Sequence, residues 1–238
     1  GVDIGDFVID AAPDILDAEV MVVSGSGASY TVTVSTGTGD GDLSIDFVDD
    51  DTVFNSTGHV CANTGLGNGD FIAGEAYTID KTPPTLSVGT PSGAWTTAGP
   101  VSYTVTYSGA DLVTLTSDDV TLNTTGTANG TVTVSGADLG TRTVTVTGIT
   151  GDGTLSISIV AGTASDLTGN LAYATGPSAA FEVDNTPPSL AISTAVSDPT
   201  NSSTIPVLVT FSESVTDFDA SDVVLGNASL DNFSGSGA

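Results

Sequence analysis

The densest group of side chains able to do chemistry is Asp49-Asp50-Asp51, with Asp46 upstream and Asp80 further along the chain. Carboxylate oxygens are hard ligands, and several of them in a flexible loop suit Ca²⁺. Asp166 and Asn170, in Asp166-Leu167-Thr168-Gly169-Asn170, would add oxygens near Asp184 if that loop folds back towards it. The expected metal ligands are therefore Asp49, Asp50, Asp51, Asp80, Asp166, Asn170 and Asp184, with calcium as the ion. The competing reading is a solvated acidic surface, because the aspartates lack the spacing of a helix-loop-helix calcium loop.

Other reactive residues argue for little. His59 and Cys61 are the only histidine and cysteine, and on a strand they would share a face, yet a zinc site needs more soft ligands than these two. A Ser-His-Asp triad is present only as composition, since no nucleophile-elbow pattern surrounds a serine. With so many aspartates, pairs for glycoside hydrolysis carry no information. Asn123-Thr124-Thr125, Asn129-Gly130-Thr131 and Asn227-Ala228-Ser229 fit the glycosylation pattern in a chain where Thr and Ser are abundant. A Lys-Asn crosslink would have to use Lys81, the only lysine, outside a strand. Trp95 reads as a packing residue near a domain end, or, if exposed, as a carbohydrate or protein contact. The expectation is a protein that is not an enzyme.

The elements that would position these residues are strands. Val, Ile, Ala and Leu occur in short runs interleaved with Thr and Ser, which suits a half-buried pleated surface, and Gly and Pro punctuate the runs. The formal net charge of −27 comes with two basic residues in 238, so nucleic acid and anionic membranes are excluded as partners and cations are expected. Adaptation to salty surroundings is the bland alternative. One cysteine rules out an intrachain disulfide framework. No apolar run reaches membrane-spanning length, and the first residues lack signal-peptide character, so the chain is expected to be an interior piece of something longer.

An internal duplication organises the sequence. Tyr77-Thr78-Ile79-Asp80-Lys81-Thr82-Pro83-Pro84 recurs as Phe181-Glu182-Val183-Asp184-Asn185-Thr186-Pro187-Pro188, placing Asp80 and Asp184 104 residues apart, the length of one sandwich domain. Pro-Pro forbids helix and holds the chain extended, giving a short, stiff joint. Between the joints, runs such as Val101-Ser102-Tyr103-Thr104-Val105-Thr106-Tyr107 and Leu155-Ser156-Ile157-Ser158-Ile159 alternate as strands do, with turn signals at Asn129-Gly130 and Gly151-Asp152-Gly153. A seven-strand Greek-key sandwich is the simplest solution.

The flanks read as incomplete copies. Val2 to Ile9 matches both Phe218 to Leu225 and Leu115 to Leu122, and Ser24-Gly25-Ser26-Gly27-Ala28 resembles Ser234-Gly235-Ser236-Gly237-Ala238. The expected divisions are 1–80, a repeat lacking its first strands; 81–184, a complete repeat; and 185–238, a repeat lacking its last strands. Half a sandwich exposes its inner face. Either the parent chain continues on both sides, the favoured arrangement, or neighbouring copies complete the halves by strand addition.

Val209-Thr210-Phe211-Ser212-Glu213-Ser214-Val215-Thr216 followed by Ala220-Ser221-Asp222, Gly25 to Val34, Asp166-Leu167-Thr168-Gly169-Asn170 and the Asp-Lys-Thr-Pro-Pro joint resemble the bacterial Ig-like domains of giant adhesins and other extracellular repeat proteins. The resemblance implies an all-β array of tandem Ig-like Greek-key β-sandwich domains, a bacterial cell-surface or extracellular location, and a spacer role with calcium stiffening the joints. The first copy departs from the pattern, with Asn55-Ser56-Thr57-Gly58-His59 in place of Asp166 to Asn170 and an insertion from Val60 to Ala76.

The leading function is thus an extracellular structural array, an adhesin stalk or filament body, whose partners are further repeats of the same parent or neighbouring copies. The alternative is a glycan- or protein-binding module using the 60–76 loop.

Overall fold

The computed structural model describes residues 1–62 and 64–235, together with the backbone but not the side chain of Trp95. The strands in chain order are β1 (Phe7–Ala11), β2 (Glu19–Ser26), β3 (Ser29–Ser35), β4 (Gly41–Phe47), β5 (Tyr77–Ile79), β6 (Thr85–Val88), β7 (Trp95–Thr96), β8 (Val101–Ser108), β9 (Leu112–Val113), β10 (Val120–Thr124), β11 (Asn129–Ser135), β12 (Thr141–Thr150), β13 (Gly153–Ile159), β14 (Ala164–Ser165), β15 (Phe181–Val183), β16 (Leu190–Ser193) and β17 (Leu208–Phe211). The only helical pieces among the described residues are 3-10 turns at Ile4–Asp6, Ser117–Asp119 and Ala220–Asp222. The chain is all-β, as its Val/Ile/Thr-rich alternation requires.

The middle segment packs two four-stranded sheets, ordered β10-β13-β15-β7 and β11-β12-β8-β6, with the short pair β14-β9 beside them. Every pairing is antiparallel except β15 with β7. Alternation along β8 buries Val101, Tyr103, Val105 and Tyr107, and these meet Val144 and Val146 of β12 and Leu155, Ile157, Ile159, Phe181 and Val183 of the facing sheet. The Tyr103 hydroxyl lies inside and donates to the Ala179 carbonyl at 2.9 Å; Tyr107 and Thr163 share a hydrogen bond of 3.1 Å. These bonds keep buried hydroxyls satisfied. Arg142, the only arginine, is also buried and donates to the main-chain carbonyls of Asp138, Thr141 and Val113.

The flanking strands reproduce parts of this plan in register. Phe7 pairs with Phe47 and Leu43 with Tyr77 in the sheet β1-β4-β5, as Val120 pairs with Ile159 and Leu155 with Phe181 in β10-β13-β15. β2 and β3 form a hairpin like β11 and β12. At the other end, Leu190 pairs with Phe211 and Ile192 with Val209, as Leu86 pairs with Tyr107 and Val88 with Val105. Burial differs sharply: Tyr103 and Val101 are 0% and 3% exposed, whereas their counterparts 104 positions later, Val207 and Ile205, are 56% and 49% exposed. A strand corresponding to β12 is absent beside β17 among the described residues.

Candidate functional site

The same hydrogen-bonded latch is built twice where the strands lead into Thr-Pro-Pro. At the second joint Asp152 accepts the Asn185 N–H at 2.6 Å through Oδ1 and the Thr186 hydroxyl at 2.6 Å through Oδ2, while the Asn185 side chain donates to the Gly151 carbonyl at 2.7 Å. At the first joint Asp40 accepts the Lys81 N–H and the Thr82 hydroxyl, and Lys81 Nζ donates to the Thr36 and Gly37 carbonyls. Asp80 and Asp184 each accept the N–H two residues on, from Thr82 and Thr186, both at 3.1 Å. One aspartate thus fixes the exit of the last strand and another stiffens the turn before Pro-Pro.

The loop that carries the latch explains its glycines. Gly39 and Gly151 sit at φ +84° and +74°, and a Cβ there would stand 1.9 Å from the Asp14 carbonyl oxygen and 2.0 Å from that of Thr127. Only glycine permits this backbone approach. The Thr82 hydroxyl and then the Lys81 N–H hold the Asp40 pKa below the usual carboxylate value; the Thr186 hydroxyl and then the Asn185 N–H do the same for Asp152. Donors to the charged form favour it.

The sequence allowed Asp166 and Asn170 to approach Asp184 if their loop folded back towards it; the structure sets Asn170 and Thr168 of that loop against Asp80 at the other joint. Asn170 Nδ2 donates to the Asp80 carbonyl at 3.0 Å and to Asp166 Oδ2 at 2.8 Å, and the Thr168 hydroxyl lies 2.9 Å from Asp166 Oδ1 and 3.4 Å from Asp80 Oδ2. The loop is at the entrance of the middle sandwich, and the exit lies with the Asp152 loop. Burial opposes ionisation of Asp166, but its bonds to Asn170, Thr168 and Gly169 together outweigh that and lower its pKa.

The same turn recurs at Asn55–His59. Asn55 Oδ1 accepts the His59 N–H at 3.0 Å and the Thr57 hydroxyl at 2.8 Å, and Gly58 N–H reaches the Asn55 carbonyl at 3.0 Å. His59 Nδ1 is 2.9 Å from the Thr57 hydroxyl, so the imidazole completes a turn, and Cys61 N–H bonds the Val53 carbonyl at 2.8 Å.

Asp49, Asp50 and Asp51 do not share one centre. Buried Asp49 accepts the N–H groups of Gly69 at 3.0 Å and Asp51 at 3.3 Å; Asp51 accepts Gly65 N–H at 3.0 and 3.1 Å; Asp50 accepts Thr52, whose hydroxyl and then N–H lower its pKa. Asp70 returns the contact by accepting the Asp49 N–H at 2.7 Å. The aspartates thereby organise the glycine-rich insertion. Among the described residues no three His, Cys, Asp or Glu side chains stand grouped to hold a metal ion. Asn63, the Trp95 side chain and residues 236–238 of the second Ser-Gly-Ser-Gly-Ala phrase lie outside the described residues.

Asp40 and Asp152 were not singled out as functional residues by sequence reasoning. Their signal is the repeated Thr-Gly-Asp-Gly of Thr38-Gly39-Asp40-Gly41 and Thr150-Gly151-Asp152-Gly153, each of which opens a central strand.

Two facing four-stranded sheets over one apolar core make the middle segment a β-sandwich. Residues 184–238, roughly the last quarter of the chain, match the family model described as a bacterial Ig-like domain. No curated protein and no solved structure matches. Among the described residues no helix is long and apolar enough to cross a membrane.

Proposed function

We propose that this chain is a segment of an extracellular structural array, an adhesin stalk or the body of a surface filament, in which Asp-latched joints set one sandwich against the next. The observation that carries this reading is the latch itself, formed by Asp40 with Lys81 and Thr82 and again by Asp152 with Asn185 and Thr186. A joint rebuilt with the same donors and acceptors serves spacing, and no catalytic role is assigned to the chain. The bacterial Ig-like match supports a surface module. Further repeats are its partners, and the high negative charge excludes nucleic acid and insertion into anionic membrane.

Calcium stiffening is the finer part of the reading. Asp80 and Asp166, bridged by Thr168, are the carboxylates that would hold an ion at the first joint. Binding requires them to turn from their present donors. Asp49 to Asp51 fit an ion less well, because backbone N–H groups already occupy Asp49 and Asp51. A second reading, a binding loop at 60–76, is favoured by the exposure of Leu66, Phe71 and Ile72 on the insertion.

The array reading is tested with antibodies against residues 81–184 on cells producing the parent protein. Labelling of intact cells is expected; labelling only after permeabilisation would overturn it.

A further inference from the structure

Asparagine is followed by glycine at Asn68-Gly69 and at Asn129-Gly130, and the fold treats the two pairs differently. The Gly69 N–H donates to Asp49 Oδ2 at 3.0 Å, whereas the Gly130 N–H is turned onto Oδ1 of its own neighbour, Asn129, at 2.8 Å. We propose that Asn129 is a site of spontaneous covalent modification, in which the Gly130 main-chain nitrogen closes a succinimide on the Asn129 side chain and the ring reopens to aspartate or isoaspartate beside the loop that carries the second latch. The reaction stands independently of the array reading, and its consequence for the joint rests on that reading.

The chemistry needs no reactant but water. The Gly130 nitrogen loses its proton and bonds to Asn129 Cγ, the carbon that carries the oxygen it already meets, and the Cγ–Nδ2 bond breaks to release ammonia. Water then opens the ring. Addition at Cγ gives aspartate; addition at the main-chain carbonyl carbon gives isoaspartate, with the chain rerouted through the side chain and one methylene longer. Asn129 is exposed, which admits the water, and glycine puts no Cβ beside the attacking nitrogen. Gly130 also lies where the β11–β12 register shifts, between the pairs Asn129–Thr150 and Thr131–Thr147, so the ring forms at an irregularity of the ladder.

The aspartates followed by glycine, Asp40 and Asp152, are guarded against the same reaction. Their latch donors hold both as carboxylates, and a carboxylate is a far poorer target for an amide nitrogen than a carboxamide. Their glycines are also fixed in strand register, Gly41 with Ile79 and Gly153 with Val183.

The position of Asn129 gives the reaction its consequence. Thr127 and Ala128, immediately before it, both donate N–H to the Asp152 carbonyl, at 2.8 and 3.1 Å, and the Thr127 hydroxyl accepts the Asp152 N–H at 3.0 Å. This segment is the seat of the latch loop, and an extra methylene at the next residue displaces it. The first joint lacks the reactive pair: Leu16 faces Thr38 as Asn129 faces Thr150, and Leu16 is followed by Asp17. Ageing at Asn129 therefore loosens the second joint and spares the first.

The test incubates the full chain for weeks at mildly alkaline pH and body temperature, followed by peptic mapping with mass spectrometry. The mass gain of deamidation should accumulate at Asn129 several-fold faster than at Asn68, with isoaspartate identified by enzymatic methylation, while in denaturant the two sites should react alike. Equal rates in the folded chain, or a faster reaction at Asn68, would overturn the assignment. Amide exchange in the aged chain should rise at Asn185 and stay unchanged at Lys81. Asn129→Gln, whose longer side chain closes no five-membered ring on Gly130, should age without that rise. An aged chain carrying isoaspartate at residue 129 with unchanged exchange at Asn185, or an equal rise in Asn129→Gln, would overturn the link to the joint. Those results would leave the array reading intact, which the surface labelling tests separately.

Discussion

Asp152 accepts the hydroxyl of Thr186, 34 positions on, at 2.6 Å, and that single contact ties a hairpin loop of the middle sandwich to the segment that leaves it. Asp40 and Thr82 repeat it. Because the donors sit beside Pro-Pro, whose φ is already restricted, the latch removes much of the freedom left to the joint.

The loop glycines should be irreplaceable. Gly151→Ala puts a Cβ 2.0 Å from the Thr127 oxygen at φ +74°, and non-glycine residues held in that region cost roughly 1–3 kcal/mol before any clash is counted. Thermal unfolding of the full chain should show the loss in the middle sandwich. Gly27→Ala, with nothing within 4 Å though also at positive φ, should cost less.

Acid should open the joints. An aspartate whose folded pKa is lowered holds its proton more weakly when folded, so its contribution is complete above the unfolded value of about 3.9 and is lost as pH falls through the lower folded value. Asp40 and Asp152 are both of this kind. Amide exchange at Lys81 and Asn185, corrected for intrinsic rates, should be unchanged from neutral pH to about 5 and rise below about 4.

Core truncation should separate complete from incomplete sandwiches. Leu155→Ala, at a fully buried site, should cost about 2–5 kcal/mol. Val207→Ala, at an exposed position, should change the stability of the dilute chain by less than about 0.5 kcal/mol. Denaturant titration measures both.

The insertion should depend on Asp49. Removing its carboxylate strips the Gly69 and Asp51 N–H groups of an acceptor, a loss of roughly 1–3 kcal/mol locally. Asp49→Ala should therefore be cleaved within residues 60–76 by protease faster than the parent chain, with the middle sandwich untouched.

Calcium should act at the first joint. Titration from micromolar to millimolar free ion should raise the melting temperature by mass action, and Asp166→Ala should abolish the increase. A melting profile indifferent to calcium would remove stiffening from the account.

The strands were legible because Thr-Val alternation and Pro-Pro punctuation are local. Tyr103, Val105, Val144 and Val146 declare their faces by period alone. The ligand set was harder to read, since acidity does not say which donors surround a carboxylate. Asp49 to Asp51 read as a cation site, yet each meets N–H or hydroxyl donors. Asp166 to Asn170 could be brought near Asp184 only if the loop folded back to that joint, and its contacts with Asp80 follow instead from a long-range fact, the sandwich topology that puts the loop after β14 at the end where the chain enters. Asp152 passed as a turn residue; only its contact with Asn185, 33 positions on, reveals the latch.

The most direct test of the latched array is the spin–spin distance distribution across the second joint. Labels at Thr104→Cys and Ala191→Cys, both exposed strand positions on opposite sides of it, in a Cys61→Ser chain diluted with unlabelled protein, should give one narrow distance. Asp152→Ala should broaden it while β8 and β12 stay paired. An equally broad distribution with and without Asp152 would contradict the account.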